Sequence, residues 1–118
     1  MANEITIATS LSFVKGLERA SLHGNDKIDM TGIHYVQRVD DISNVEESVS
    51  RGDIVTLGYC MFKNVGDTGV IQVGGVTGAY VVKLDPGAAS GAIKWATNAI
   101  FAICDLTGGR LEMLLLEL

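Results

Sequence analysis

Few residues of this chain could do chemistry, and the richest stretch is GYCMFKNVGDTGVIQVGG at residues 58–75. Its glycines are typical of loops that cradle a phosphate. A phosphate loop, however, needs a Lys and a Ser or Thr after its second Gly, and a dinucleotide loop must open a helix. Here the next segment, residues 79–84, is rich in β-branched residues and favours a strand. We therefore predict no phosphate site, and we interpret 59–63 and 70–73 as a hairpin joined by the loop Asn64–Gly69.

Acid and base chemistry has only two histidines and two carboxylate pairs to draw on. These residues are His23, His34, Asp40-Asp41 and Glu46-Glu47. Neighbouring carboxylates point to opposite sides of a strand, whereas a catalytic pair must converge in one pocket. No Ser or Cys nucleophile is placed by sequence beside His34, which lies near Thr31 and Tyr35. The sequence therefore predicts no catalytic residue, and we expect a protein that is not an enzyme.

Metal sites lack the local ligand pairs that usually build them. The two cysteines, Cys60 and Cys104, and the two histidines form no C-x-x-C or H-x-x-x-H pair. The acidic segment GNDKID at 24–29 does not continue into a calcium loop, because Met30 and Thr31 follow it. We predict no metal and no cofactor. The cysteines lie in apolar runs and are interpreted as buried hydrophobes, with a disulfide as the alternative.

Charge and composition restrict the partners of this chain. Its 118 residues include 14 acidic and 9 basic ones, and the absence of a basic cluster predicts no nucleic-acid partner. No window approaches the roughly 18 apolar residues of a membrane span, so no membrane partner is expected. Hydrophobic residues make up 47% of the chain and charged ones 19%, which leaves little polar surface for a monomer. We therefore expect a homo-oligomer, with a trimer favoured.

Short runs of Val, Ile, Thr and Tyr between glycine-containing turns predict strands rather than helices. The predicted strands are 4–8, 33–39, 54–63, 70–73, 79–84, 92–96, 99–104 and 111–117. Residues 10–24 are interpreted as two short strands around Lys15-Gly16, and 43–53 as a short helix or an irregular loop. The pattern predicts one all-β domain over residues 1–118. We expect an antiparallel β-sandwich, jelly-roll-like, with an extended N-terminal arm at 1–14.

Three apolar features of the predicted strands indicate contact surfaces. Ile5 and Ile7 alternate onto one face of the arm. The run LEMLLLEL at 111–118 is apolar on both faces, so it is either central in a sheet or sealed by another chain. A solitary Trp95 favours the core or an interface, and the alternative is a sugar-stacking platform helped by Asn98 and Tyr80.

Several stretches together resemble small virion proteins of tailed bacteriophages. The resemblance spans roughly residues 3–117 and includes NEITIATSLSFVKG, MTGIHYVQRV, VVKLDPGAASGAIKW and LEMLLLEL. Its most specific parts are the Gly-Tyr run into Lys63-Asn64 and the turn Leu84-Asp85-Pro86-Gly87. The sequence departs from the usual pattern at Val65-Gly66, where an acidic residue is expected closer behind the Asn, and at Ala88, where a charged residue is expected.

The resemblance implies a capsid cement or decoration protein at the surface of the virion. Proteins of this type sit over junctions between major capsid subunits, often as trimers, and need no cofactor. It directs attention to a set of candidate interface residues: Ile5, Ile7, Phe13, Asn64, Asp67, Trp95, Leu114 and Leu116. The alternatives are a tail or neck component of the virion and a carbohydrate-binding β module.

Overall fold

A computed structural model of the chain describes residues 4–28 and 32–117. The all-β prediction is confirmed, because the described residues form ten antiparallel strands and no helix. The strands are β1 (Ile5–Lys15), β2 (Glu18–Ile28), β3 (Tyr35–Ile42), β4 (Glu47–Ser48), β5 (Leu57–Asn64), β6 (Ile71–Gly74), β7 (Val82–Leu84), β8 (Ala89–Lys94), β9 (Phe101–Cys104) and β10 (Gly109–Glu117). Where the sequence indicates one domain, the chain contacts separate two compact units, Met1–Thr31 and Gly32–Leu118.

The first unit is the hairpin β1–β2. Its ladder runs from the pair Ile5 and Ile28 to the pair Lys15 and Glu18 without a shift in register. The strands are joined by a two-residue turn whose first residue, Gly16, has φ of 61°, a conformation that glycine adopts without steric cost. The interpretation of residues 10–24 as two strands around Lys15-Gly16 is confirmed, although each strand is 11 residues long.

The second unit consists of two four-stranded sheets. Sheet I has the order β3-β10-β5-β8, and sheet II has the order β4-β9-β6-β7. The pairing is nested, because β3 pairs with β10, β4 with β9, β5 with β8 and β6 with β7. The first strand of this unit therefore pairs with its last strand, the second with the second-last, and so on inward to β6 and β7.

One apolar cluster lies between the inner faces of the two sheets. Sheet I contributes Leu111, Met113 and Leu115 from β10, each exposed by 1% or less. Sheet II contributes residues such as Ile71 and Val73. Because both sheets bury one face in a common core, the arrangement is compatible with a β-sandwich. Strand β10 lies between β3 and β5, so the central position predicted as one option for the 111–117 run is confirmed.

The predicted hairpin of residues 59–63 and 70–73 is wrong. Strand β5 pairs with β10 and β8 in sheet I, whereas β6 pairs with β7 and β9 in sheet II. The connection 65–70, which we call the crossing loop, passes from one sheet to the other. Its two glycines, together with Asn64 before it, suit a hairpin and a crossing equally well, and the choice depends on distant pairing partners. Residues 43–53 contain the two-residue strand β4 and no helix.

Both cysteines are buried in the core and neither forms a disulfide. Cys60 comes from sheet I and Cys104 from sheet II. Burial raises the pKa of the Cys60 thiol to about 12, because the thiolate would lose its hydration there. The interpretation as buried hydrophobes is confirmed.

A buried amide ties sheet I to sheet II at the end of β5. Asn64 is fully buried, and its Nδ2 donates to the carbonyl oxygens of Gly69 at 2.9 Å and of Leu84 at 3.0 Å. Its Oδ1 accepts from the Gly66 N–H at 3.0 Å. The backbone oxygen of Asn64 also accepts from the Gly87 N–H at 2.8 Å. The crossing loop and the turn after β7 are therefore fixed to the same residue.

Replacing Asn64 with Ala should destabilise the fold strongly. The change leaves one N–H and two carbonyl groups without their partner, and we expect a loss of about 2–4 kcal/mol in the free energy of unfolding. Urea denaturation followed by circular dichroism measures this loss. Asp67→Ala, at an exposed position in the same loop, is the control and should stay within about 0.5 kcal/mol. Equal stability of the two variants would contradict the role of the amide.

Candidate functional site

Two of the carboxylates that the sequence offers for chemistry, Asp40 and Glu46, accept hydrogen bonds from neighbouring groups of the fold. Asp40 accepts two hydrogen bonds from Arg38, at 2.7 and 3.0 Å. Glu46 accepts from the Tyr80 hydroxyl and from the Gly78 N–H, and the first of these contacts lowers the pKa of the carboxyl most. Within residues 4–28 and 32–117, no three His, Cys, Asp or Glu side chains lie close enough to hold a metal ion. The same residues contain no helix that is long and apolar enough to cross a membrane.

A second buried polar contact, which the sequence did not indicate, lies at the end of β10. Glu117 is 7% exposed, and its Oε2 accepts from the Val55 N–H at 2.9 Å. Its Oε1 accepts from the N–H groups of Ile33 and His34 at 3.1 and 3.3 Å and lies 3.0 Å from His34 Nδ1. Gly32 leaves room for this carboxylate, because a Cβ there would lie 2.2 Å from Oε1.

These contacts hold Glu117 in its charged form. The hydrogen bond from Val55, together with those from His34 and Ile33, lowers the pKa of the carboxyl from 4.5 to about 2, against the opposing effect of burial. The unfolded chain therefore binds more protons than the folded chain between these two values. The stabilisation is present above about pH 4.5 and is lost as the pH falls towards 2.

Glu117→Gln should remove much of the acid sensitivity of this protein. We expect the urea midpoint of the wild type to fall between pH 4.5 and pH 2, and that of the variant to start lower and fall less steeply. Urea titrations at several pH values across this range measure both slopes. Asp53→Asn, at an exposed position, is the control and should keep the wild-type slope. Parallel curves for Glu117→Gln and the wild type would contradict this explanation.

The hairpin β1–β2 has one apolar face and one polar face. Because successive side chains of a strand alternate, the unbroken register places Ile5, Ile7, Leu11, Leu22 and Ile28 on one side. We call this side the hairpin face. The opposite side carries Ser10, Ser12, Ser21, His23 and Arg19, and its apolar residues are Ala8 and Val14. Ile5 is buried and Ile7 half-buried, whereas Leu11 and Leu22, which are paired across the strands, are 77% and 75% exposed.

The hairpin has no further strand beside it among the described residues. Strands β1 and β2 form a two-stranded sheet of their own, and every side chain from Glu18 to Lys27 is exposed. A two-stranded hairpin is only marginally stable in water unless its apolar face is covered. Uncovered apolar residues on such an element are typical of a surface that contacts another chain.

A second exposed apolar surface lies on the outer side of sheet I. Register places Leu114 of β10 between Gln37 and Met61, and Leu116 beside Tyr35. Tyr35 is 65% exposed and Met61 41%, while the two leucines are half-buried. Val39 of β3 and Tyr59 of β5 extend the same side, which we call the sheet I face. On the same face, Glu112 of β10 is paired with Lys63 of β5. This pair lies two residues along the strands from the pair Leu114 and Met61.

The structure places the predicted interface residues in the hairpin, on the sheet I face, in the crossing loop and in the core. Ile5 and Ile7 belong to the hairpin face, and Leu114 and Leu116 belong to the sheet I face. Phe13 pairs with Ala20 in the hairpin ladder, and its side chain lies outside the described residues. Asp67 is exposed in the crossing loop, and nothing groups it with the two apolar faces.

Asn64 and Trp95 must be withdrawn as surface contacts, because the fold buries both side chains. Asn64 holds the crossing loop. Trp95 is 6% exposed, donates from Nε1 to the Ala99 carbonyl at 2.8 Å and packs against Phe62 at a ring distance of 5.3 Å. Apolar neighbours on the predicted strands 79–84 and 92–96 favour a core position for Trp95. The core was one of the two positions that the sequence predicted for this residue.

The sequence missed half of each apolar face. Leu11 and Leu22 of the hairpin, and Tyr35, Val39 and Met61 of sheet I, were not singled out. Alternation within 33–39 does place Tyr35 and Val39 on one side, so part of the signal was present. Which side of β3 faces outward depends on its pairing with β10, which is far away in the sequence.

A sugar-stacking platform is not assembled around Trp95. Asn98 Oδ1 accepts from the Leu57 N–H at 2.9 Å, and Tyr80 is engaged by Glu46. A platform needs an exposed ring face, which a ring that is 6% exposed does not offer. The two helpers named with Trp95 therefore serve the fold.

The fluorescence of Trp95 should not respond to sugars. Because Trp95 is the single Trp of the chain, its emission reports one site, and we expect a blue-shifted emission that acrylamide quenches weakly. A titration against a panel of mono- and oligosaccharides should leave its intensity unchanged. Strong acrylamide quenching, or a saturable change with one sugar, would contradict the buried position.

Comparison with known proteins yields no relative, since no protein-family model, curated protein or solved structure matches the chain.

Proposed function

We propose that this chain is a structural protein of a bacteriophage virion, a capsid cement or decoration protein that bridges and stabilises major capsid subunits. In this role it is not an enzyme and needs no cofactor. Its partners are the major capsid protein and further copies of the same chain. The proposal begins from the sequence resemblance to small virion proteins and is supported by the fold and by the two exposed apolar faces.

The nested strand pairing supports a jelly roll as the fold of the second unit. Numbered within the unit, its eight strands pair first with eighth, second with seventh, third with sixth and fourth with fifth. This is the pattern obtained when one long antiparallel ribbon is rolled into two sheets. Jelly rolls of eight strands are common in viral capsid proteins, although they also serve in lectins and enzymes. The fold is thus compatible with the role without deciding it.

The observation that carries the proposal is the hairpin β1–β2, whose second strand is exposed along almost its whole length. It combines an apolar face, with Leu11 and Leu22 mostly exposed, and edges that have no third strand among the described residues. Such an element gains most of its stability from a neighbouring chain. A cement protein uses an arm of this kind to reach its neighbour, and we assign that function to the hairpin. The N-terminal arm predicted at residues 1–14 then becomes the first half of a longer, two-stranded arm.

Many weak contacts multiplied by particle symmetry give such a protein its effect. The contact with the shell need not be strong for one copy, because neighbouring copies linked by their arms bind together. The exposed crossing loop with Asp67 is the part of the second unit that we propose meets the capsid protein.

Purified particles should contain this chain at near-stoichiometric copy number with the major capsid protein. Quantitative mass spectrometry of gradient-purified virions measures the ratio. Particles assembled without the chain should release their genome at a lower temperature, and adding the purified protein back should restore the wild-type value. A variant without residues 1–28 should fail to restore it.

Two other results would overturn the cement proposal. Only a few copies in each particle would place the chain in the tail or neck. Complete absence from purified virions would exclude a structural role in the particle.

A further inference from the structure

We propose that the hairpin face of one copy packs on the sheet I face of a second copy, so that the chain assembles with itself by exchanging arms. This inference deepens the proposed function, because it names the neighbour that covers the hairpin, and it depends on that function only for the idea that an arm needs a neighbour. The occupant of the sheet I face is thus residues 5–28 of another identical chain.

Both faces are apolar and open in the same molecule. The hairpin face exposes Leu11 and Leu22, and the sheet I face exposes Tyr35, Val39 and Met61 around the half-buried Leu114. A depression of about 190 Å³ lies over Met61 and Leu114 on this face. One contact between copies would remove both sets of apolar side chains from water. The exposure of each face is therefore accounted for by the presence of the other.

The dimensions of the two faces agree. With the hairpin turn over Glu112, residues 10–15 of β1, which correspond to about 20 Å, lie along residues 112–117 of β10, which have the same length. Two sheets that stack face to face lie about 10 Å apart with interdigitating side chains. The hairpin can therefore act as a short additional layer along the length of β10.

Charge complementarity favours a second copy over an unrelated partner. The hairpin face ends at the turn in a pair of opposite charges, Lys15 and Glu18, which are opposite each other in the ladder. The sheet I face carries a similar pair, Lys63 and Glu112, next to its apolar part. With the hairpin turn at that end of the sheet, Lys15 lies over Glu112 and Glu18 over Lys63. The order of charges and apolar residues on one face then matches the other.

The proposed contact is between two different surfaces, and this determines the type of assembly. When a patch on one copy binds a different patch on the next, the contacts close into a ring if the rotation allows it. In a closed ring of three copies, every hairpin face would be packed on a sheet I face, and no apolar face would be left exposed. The trimer expected from composition is therefore compatible with this contact.

The test is a reciprocal charge reversal measured by sedimentation velocity on the full chain. We expect the wild type to be oligomeric at micromolar concentration. The double variant Lys15→Glu with Glu18→Lys, and the double variant Lys63→Glu with Glu112→Lys, should each weaken the association at least tenfold. The four substitutions combined in one chain should restore it to within about threefold of the wild type, because opposite charges face each other again.

Matched controls use the other side of the hairpin. Leu11→Ser should dissociate the oligomer, whereas Val14→Ser, at a position 73% exposed on the polar side, should leave it intact. Arg19→Glu on that side should likewise have no effect where Lys15→Glu does. All of these positions except the half-buried Glu112 are exposed, so circular dichroism should show the same folded second unit in every variant.

The outcomes separate this inference from the proposed function. A wild-type chain that is monomeric at micromolar concentration, or charge reversals that fail to rescue each other, would overturn the contact between copies. If that monomer still occupied virions at near-stoichiometric number, the cement function would stand and its arm would bind the capsid protein. An oligomer that depends on both faces but is absent from virions would support the contact and overturn the function.

Discussion

The buried side chain of Asn64 is the constraint on which the second unit depends. Three hydrogen bonds from one amide hold the crossing loop and the end of β7, and the backbone of the same residue holds the turn at Gly87. Because a buried polar group is costly unless it is fully paired, this arrangement admits few other paths for the chain. The crossing from sheet I to sheet II is fixed there.

Two polar side chains of this protein are buried, while several large apolar side chains are exposed. The polar groups with the most contacts, Asn64 and Glu117, lie inside and at opposite ends of sheet I, where each satisfies backbone groups that have no strand partner. Large apolar side chains such as Leu11 and Tyr35 lie outside. Exposed apolar side chains that lie together in this way are typical of a surface that contacts another chain.

The two stretches that carry the most specific sequence resemblance meet in space. Lys63-Asn64 ends β5 and Leu84–Gly87 follows β7, and the two are joined through the Asn64 amide and backbone. Both stretches therefore help to join the two sheets, and the Gly66 N–H completes this contact by donating to Asn64 Oδ1. The exposed apolar faces lie elsewhere in the chain.

The sequence by itself determined the all-β class, most strand positions, the burial of the cysteines and the two-stranded nature of residues 10–24. These depend on alternation, β-branched residues and glycine turns, which are local properties of the chain. It could not determine that 59–63 and 70–73 belong to different sheets, or that Asn64 and Trp95 point inward. Nor could it determine that the Glu117 carboxylate accepts hydrogen bonds from the N–H groups of Val55, Ile33 and His34. Each of these depends on which distant strand lies beside a given one, and the outward side of β3 and β5 is decided only when β10 is placed between them. Tertiary pairing therefore decided the exposed surfaces, because a strand with two apolar faces can bury either face until its neighbours are in place.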